Sequence, residues 1–73
     1  MTRIVAIGEA DRVSGFAFAG VAVAAADNHD DALAAWKALP DDAAVVILTP
    51  AARVALAPEL SRPDQRLWVV MPG

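Results

Sequence analysis

Four short apolar runs punctuate the chain, and none of them alternates with polar residues. Ile4, Val5, Ala6 and Ile7 form the first and end at Gly8. Ala22 to Ala26, entered from Val21, form a weaker second. Ala44, Val45, Val46, Ile47 and Leu48 form the strongest, closed by Thr49 and Pro50. Leu67, Trp68, Val69, Val70 and Met71 form the fourth, closed by Pro72 and Gly73. Runs of this length, without the period-two alternation of a half-exposed strand, predict strands covered on both faces, as in parallel sheets.

Helical spacing fills the gaps between them. Val13, Phe16, Ala17 and Gly20 recur at i, i+3, i+4 and i+7, which places them on one face of a first helix. Gly15 lies inside that helix at a cost of about 1 kcal/mol relative to alanine, so a close backbone approach is expected there. Asp27 or Asn28 can cap a second helix whose first turn carries Asp30 and Asp31, favourable against the helix dipole. Its predicted buried stripe is His29, Ala32, Leu33, Trp36 and Leu39, and Pro40 ends it. Thr49 as N-cap and Pro50 in the first helical position start a third helix, expected to run to about Ala57. Pro58 then disturbs it, and Ser61 to Asp64 read as a loop.

The order is therefore β-α-β-α-β-α-β. Strands that alternate with helices over short links give a parallel sheet with right-handed crossovers. The expected fold is a single α/β domain over residues 1–73. It has a small four-stranded parallel sheet in the order 2-1-3-4 with helices on both faces, a Rossmann-like or flavodoxin-like arrangement.

Composition qualifies this picture. A chain of 73 residues buries only about 60% of the surface that its unfolded form exposes, so its stability alone is marginal. The apolar fraction is 58%, but 18 of those residues are alanine, which bury little area each. Small domains are commonly supplemented by disulfides, a metal or a partner. There is no cysteine and a single histidine, His29, which leaves burial against a partner. The net charge is −3 and the six basic residues are scattered. Nucleic-acid binding calls for a clustered basic surface, so none is expected. The apolar stretches are broken well before about 18 residues, so no membrane insertion is expected. The opening Met-Thr-Arg and short apolar run are too brief for a signal peptide. A soluble cytoplasmic location is the default expectation.

The candidate for chemistry is the end of the first strand, Gly8-Glu9-Ala10-Asp11. In open α/β sheets ligands favour the carboxyl ends of strands at the switch point, here flanked by strands one and three. A phosphate cradle needs several glycines or a Gly-Lys-Ser/Thr ending; Gly8 and Gly15 are seven apart with no lysine, so no cofactor is expected. Glu9 and Asp11 resemble part of the acidic magnesium pocket of response-regulator receivers. That pocket needs an aspartate at the end of the third strand, where Thr49 stands, and a fifth strand with a lysine, so receiver function is excluded. Glu9 and Asp11 are expected in a solvated loop that favours the following helix. Asp27, His29 and Asp31 can be drawn as metal ligands, but helical geometry points residues two apart in different directions, and capping explains them. Ser14 has no local histidine and no nucleophile-elbow context. Trp36 and Trp68 read as core filler. Phe18 sits about 140° from the Val13 stripe, so it packs under a loop or is offered to a partner.

The segment from Ile7 to Val21 resembles the opening of the F subunit of the V-type and A-type rotary ATPases. That family shows a strand, Gly-acid, then Val-x-Gly-Phe-x-Leu-Ala-Gly. Gly8, Val13, Gly15, Phe16, Ala19 and Gly20 fall on the pattern. Phe18 stands where leucine is usual and Ala17 where arginine is common. Asp30 to Leu39 is similar to the family's Ala/Leu-rich second helix, Val45 to Thr49 to its Ile-Ile-Leu-Ile-Thr strand, and Val69 to Pro72 to the strand ending in Ile-Pro. The resemblance implies a non-catalytic central-stalk subunit. Such a subunit binds the D-type coiled-coil shaft subunit and couples ATP hydrolysis or synthesis to ion transport. The resemblance also implies a location peripheral to the membrane, within a rotary complex. The family continues into a C-terminal helix that residues 1–73 do not include, so no role of that helix is carried over. Exposed residues around the first helix, Arg12, Ser14 and Phe18, are the expected partner contacts. The alternative is a stand-alone regulatory or ligand-binding α/β domain that forms homodimers. Neither reading makes the chain an enzyme, and no catalytic set is expected.

Overall fold

The parallel sheet forms in the expected order. The computed structural model describes residues 3–61 and 66–72, with the side chains of Phe18 and Ala19 excepted. Strands β1 (Arg3–Gly8), β2 (Ala22–Ala25), β3 (Ala43–Leu48) and β4 (Leu67–Val70) pair in parallel in the order β2-β1-β3-β4. β1 is thus hydrogen-bonded on both sides, with Val5 against Ala22 in β2 and Val46 in β3. Between Arg3 and Ile4 the β1–β3 register shifts by one residue. Ala44 is the extra residue and turns outward.

The registers assign every strand residue to a face. Val5, Ile7, Val46, Leu48 and Trp68 point to one side. There α2 (His29–Lys37) and α3 (Pro50–Ala55) close a core through Ala32, Trp36, Ala52, Ala55 and Leu56. Trp36 is the largest side chain of this layer, and Trp68 of β4 packs against the cluster. The Arg66 guanidinium lies 6.0 Å from the centroid of the Trp36 ring, within cation–π range. The opposite side carries Ile4, Ala6, Val23, Val45, Ile47, Leu67 and Val69. There α1 (Ala10–Val13) and a 3-10 segment (Ser14–Ala19) lie against β1 and β2. Helices therefore occupy both faces.

The second helix is capped as expected. Asn28 Oδ1 accepts from the Asp31 N–H at 2.8 Å, and Asn28 Nδ2 donates to Asp31 Oδ2 at 3.1 Å. The predicted stripe holds for Ala32 and Trp36, which are buried, and for Leu33 and Leu39, which are half-buried. His29 departs from it. As the first helical residue it precedes the part of α2 that crosses the sheet, and it is exposed.

The first crossover departs further. The α-helix stops at Val13 and tightens into the 3-10 segment, because Ser14 and Gly15 are weak helix formers. A 3-10 helix repeats every three residues. Val13 and Phe16 accordingly keep an inward direction, wholly and partly buried, whereas Ala17 and Gly20 are exposed. Gly20 ends the segment at φ +79°, in the left-handed region that glycine enters without steric cost. The close backbone approach expected at Gly15 is absent, since a Cβ there would meet nothing within 4 Å.

The third helix also ends early, at Ala55. Leu56 breaks it, and α4 (Ala57–Leu60) follows with Pro58 in its first turn, where no N–H is needed. The Ser61 hydroxyl donates to the Pro58 carbonyl at 2.8 Å. The rest of the expected loop, Arg62 to Asp64, lies outside the described residues.

Candidate functional site

Strand order 2-1-3-4 brings the carboxyl ends of β1 and β3 side by side, and the residues that leave them meet. Thr49 N–H donates to the Ile7 carbonyl at 3.2 Å, so the hydrogen-bonded ladder runs one residue past β3. The Thr49 hydroxyl then donates to Glu9 Oε1 at 2.6 Å. The same oxygen accepts from the Ala52 N–H at 3.3 Å, which makes it the N-cap of α3. Thr49 is 0% exposed. A fully enclosed hydroxyl engaged both as donor and as acceptor is a fastener and not an available nucleophile.

Glu9 completes the clasp. It is half-buried, and its Oε2 lies 3.7 Å from Arg12 Nε, one turn along. The Thr49 hydroxyl above all, then Glu9's own backbone N–H and lastly the Arg12 guanidinium hold its carboxyl below the ordinary value of 4.5, against the opposing effect of burial. The expectation of a solvated loop is thus incomplete for Glu9, a half-buried loop residue whose partner lies forty positions away, just past the end of β3. It is right for Asp11, which is exposed. Gly8 makes the clasp possible. A Cβ at position 8 would run into Thr49 Cβ, Cγ2 and Oγ1, so a side chain here is incompatible with the present seat of Thr49.

Asp27 closes the neighbouring gap. Its Oδ1 accepts from the Ala10 N–H at 3.1 Å and ties the end of β2 to the start of α1. Beside it lies an open concavity of about 190 Å³ between the first turns of α2 and α3. Half of its lining is alanine, from Ala26, Ala32, Ala51, Ala52 and Ala55, and the rest comes from Glu9, Asp27, Asn28, His29 and Val54. Asp31 turns away to Asn28. Among the described residues no group of three or more histidine, aspartate or glutamate side chains is placed to hold a metal ion.

Of the expected partner contacts, Arg12 on α1 and Ser14 at the start of the 3-10 segment are both exposed. The side chain of Phe18 lies outside the described residues. Among the described residues no helix is long and apolar enough to cross a membrane. Compared with family models, with curated proteins and with solved structures, the chain matches none.

Proposed function

We propose that this chain is a non-catalytic coupling module of the kind its first crossover resembles, the F subunit of the V-type and A-type rotary ATPases. In this reading it binds a D-type coiled-coil shaft subunit, peripheral to the membrane, and helps couple ATP hydrolysis or synthesis to ion transport. One observation carries the proposal. At the strand ends, where α/β sheets commonly hold a small ligand, the Glu9 carboxylate and the Thr49 hydroxyl are bonded to each other, and half of the lining of the open concavity beside them is alanine. Strand-end polar groups committed to each other favour function through the outer surface. Arg12 and Ser14 stand on that surface, at the junction of α1 and the 3-10 segment, with small neighbours at Gly15 and Ala17 that allow a helix to approach closely.

Co-expression with a D-type shaft subunit tests the proposal. A stable complex is expected, and Arg12→Glu together with Ser14→Arg is expected to weaken it about tenfold, roughly 1.4 kcal/mol. Failure of the shaft subunit to co-purify with the unaltered chain would overturn it.

A further inference from the structure

The open concavity between the first turns of α2 and α3 joins two chemistries. Alanine and Val54 make up most of its lining, and the acidic Glu9 and Asp27 share it. Its volume of about 190 Å³ falls below the roughly 300–1,000 Å³ of sites that enclose a drug-sized ligand. The space suits a single side chain that enters from outside.

Charge chooses that side chain. Glu9, Asp11, Asp27, Asp30 and Asp31 stand at the carboxyl ends of β1 and β2 or in the helical turns that follow, against Arg12 alone. Residues 9–31 thus carry a net charge of −4 and the rest of the chain +1, so the whole negative surplus of the −3 chain lies at this end. The N-terminus of α2 opposes it with about half a positive charge, which Asp30 and Asp31 in its first turn offset. Glu9, held below the ordinary carboxylate value, is ionised at neutral pH. A cation is the complementary occupant.

Hydrogen bonding narrows the choice further. Glu9 Oε1 is taken by the Thr49 hydroxyl and Asp27 Oδ1 by the Ala10 N–H. Neither carboxylate therefore offers two open oxygens to the planar fork of a guanidinium. An ammonium is compact, donates three separate hydrogen bonds and is served by single oxygens. A lysine also brings a four-carbon stem that packs along apolar surface such as alanine methyls.

We propose that this concavity receives an exposed lysine side chain of a partner protein, its stem against the alanines and its ammonium at Glu9 and Asp27. The proposal does not rest on shaft binding, whose expected contacts, Arg12 and Ser14, do not line the concavity.

The probe is Nα-acetyl-lysine methylamide, titrated into the full chain at neutral pH and constant ionic strength while carbon-13 NMR follows the alanine methyls. Saturable shifts at Ala26, Ala52 and Ala55 are expected, with a dissociation constant on the order of 10 mM for one side chain alone. The norleucine analogue has the stem without the charge and should bind about three- to fivefold more weakly. Asp27→Asn keeps an amide oxygen for the Ala10 N–H and should weaken binding of the lysine probe by a similar factor. Asp41→Asn removes the same charge just before β3, at the opposite end of the sheet, and should leave binding unchanged. Ala51→Leu, at an exposed lining position, fills the space without altering charge and should weaken binding at least as much as Asp27→Asn. Absence of saturable shifts up to about 50 mM probe overturns the proposal. So does equal binding of the norleucine analogue, or a loss with Asp41→Asn as large as with Asp27→Asn. Tighter binding of n-butylamine than of the lysine probe overturns the choice of a protein partner and assigns the site to free amines.

Discussion

The Thr49 hydroxyl and the Glu9 carboxylate, forty positions apart, meet at 2.6 Å across the ends of β1 and β3. The bond joins two adjacent strands just past their last ladder hydrogen bonds and fixes the start of α3 as well. Because the carboxylate is the acceptor, this junction depends on pH.

The sign follows from the direction of the shift. Glu9 is held below 4.5 in the folded chain, so the folded state favours its ionised form. The contribution is present in full above the ordinary carboxylate value and is lost as pH falls from there through the lowered folded value. Urea unfolding between pH 7 and pH 3 should show stability falling over the acid part of this range. Glu9→Gln should flatten that fall. At neutral pH the variant should cost about 0.5–1 kcal/mol, a modest figure because the carboxylate is partly exposed and screened by solvent.

Thr49→Val keeps the shape of the side chain and removes both of its hydrogen bonds. The expected cost is about 1–3 kcal/mol, from the lost N-cap of α3 and the lost partner of Glu9. The carboxyl of Glu9 should then titrate closer to its ordinary value, which carbon-13 NMR of the labelled carboxylate would measure. An unchanged titration would separate Glu9 from Thr49 in solution.

Two glycines should respond in opposite ways. Gly8→Ala drives a methyl into Thr49 and should destabilise the domain by about 1–3 kcal/mol. Gly15→Ala places a methyl in open space within a helical segment and should stabilise it by up to about 1 kcal/mol. Thermal unfolding of the two variants beside the unaltered chain reads both.

Trp36 is the largest side chain that α2 buries against the sheet, and the alanines beside it cannot move in to replace it. Trp36→Ala should cost about 3–5 kcal/mol, a large part of the total stability of a domain this small. Loss of the cooperative unfolding transition, followed by circular dichroism, is the expected result.

The strands were legible because β1 and β3 are apolar runs rich in branched side chains, and the alternation of strands and helices pointed to a parallel sheet, for which the order 2-1-3-4 was the one chosen. The caps at Asn28 and Thr49 were legible too, since their partners lie three residues away at Asp31 and Ala52. What depended on distant residues was hidden. The acceptor role of Glu9 needs the seat of Thr49 and the smallness of Gly8 together, and no local pattern records that. The only available signal was the predicted adjacency of strands one and three. The first helix failed for a different reason. Its i, i+3, i+4, i+7 spacing presumed 3.6 residues per turn, whereas Ser14 and Gly15 let the turn tighten to three, and Ala17 fell away from the sheet.

The placement of β1 at the centre of the sheet has a consequence for the order of assembly. Its first neighbour, β2, follows within about twenty residues, but its second is finished only when the chain has reached Leu48. On a ribosome the middle strand therefore waits with one edge open while some forty residues are made, and joining β1 to β3 requires closure of that whole intervening loop. The last strand adds to β3 only after this step, so residues 66–72 complete a sheet whose slow event already lies behind them.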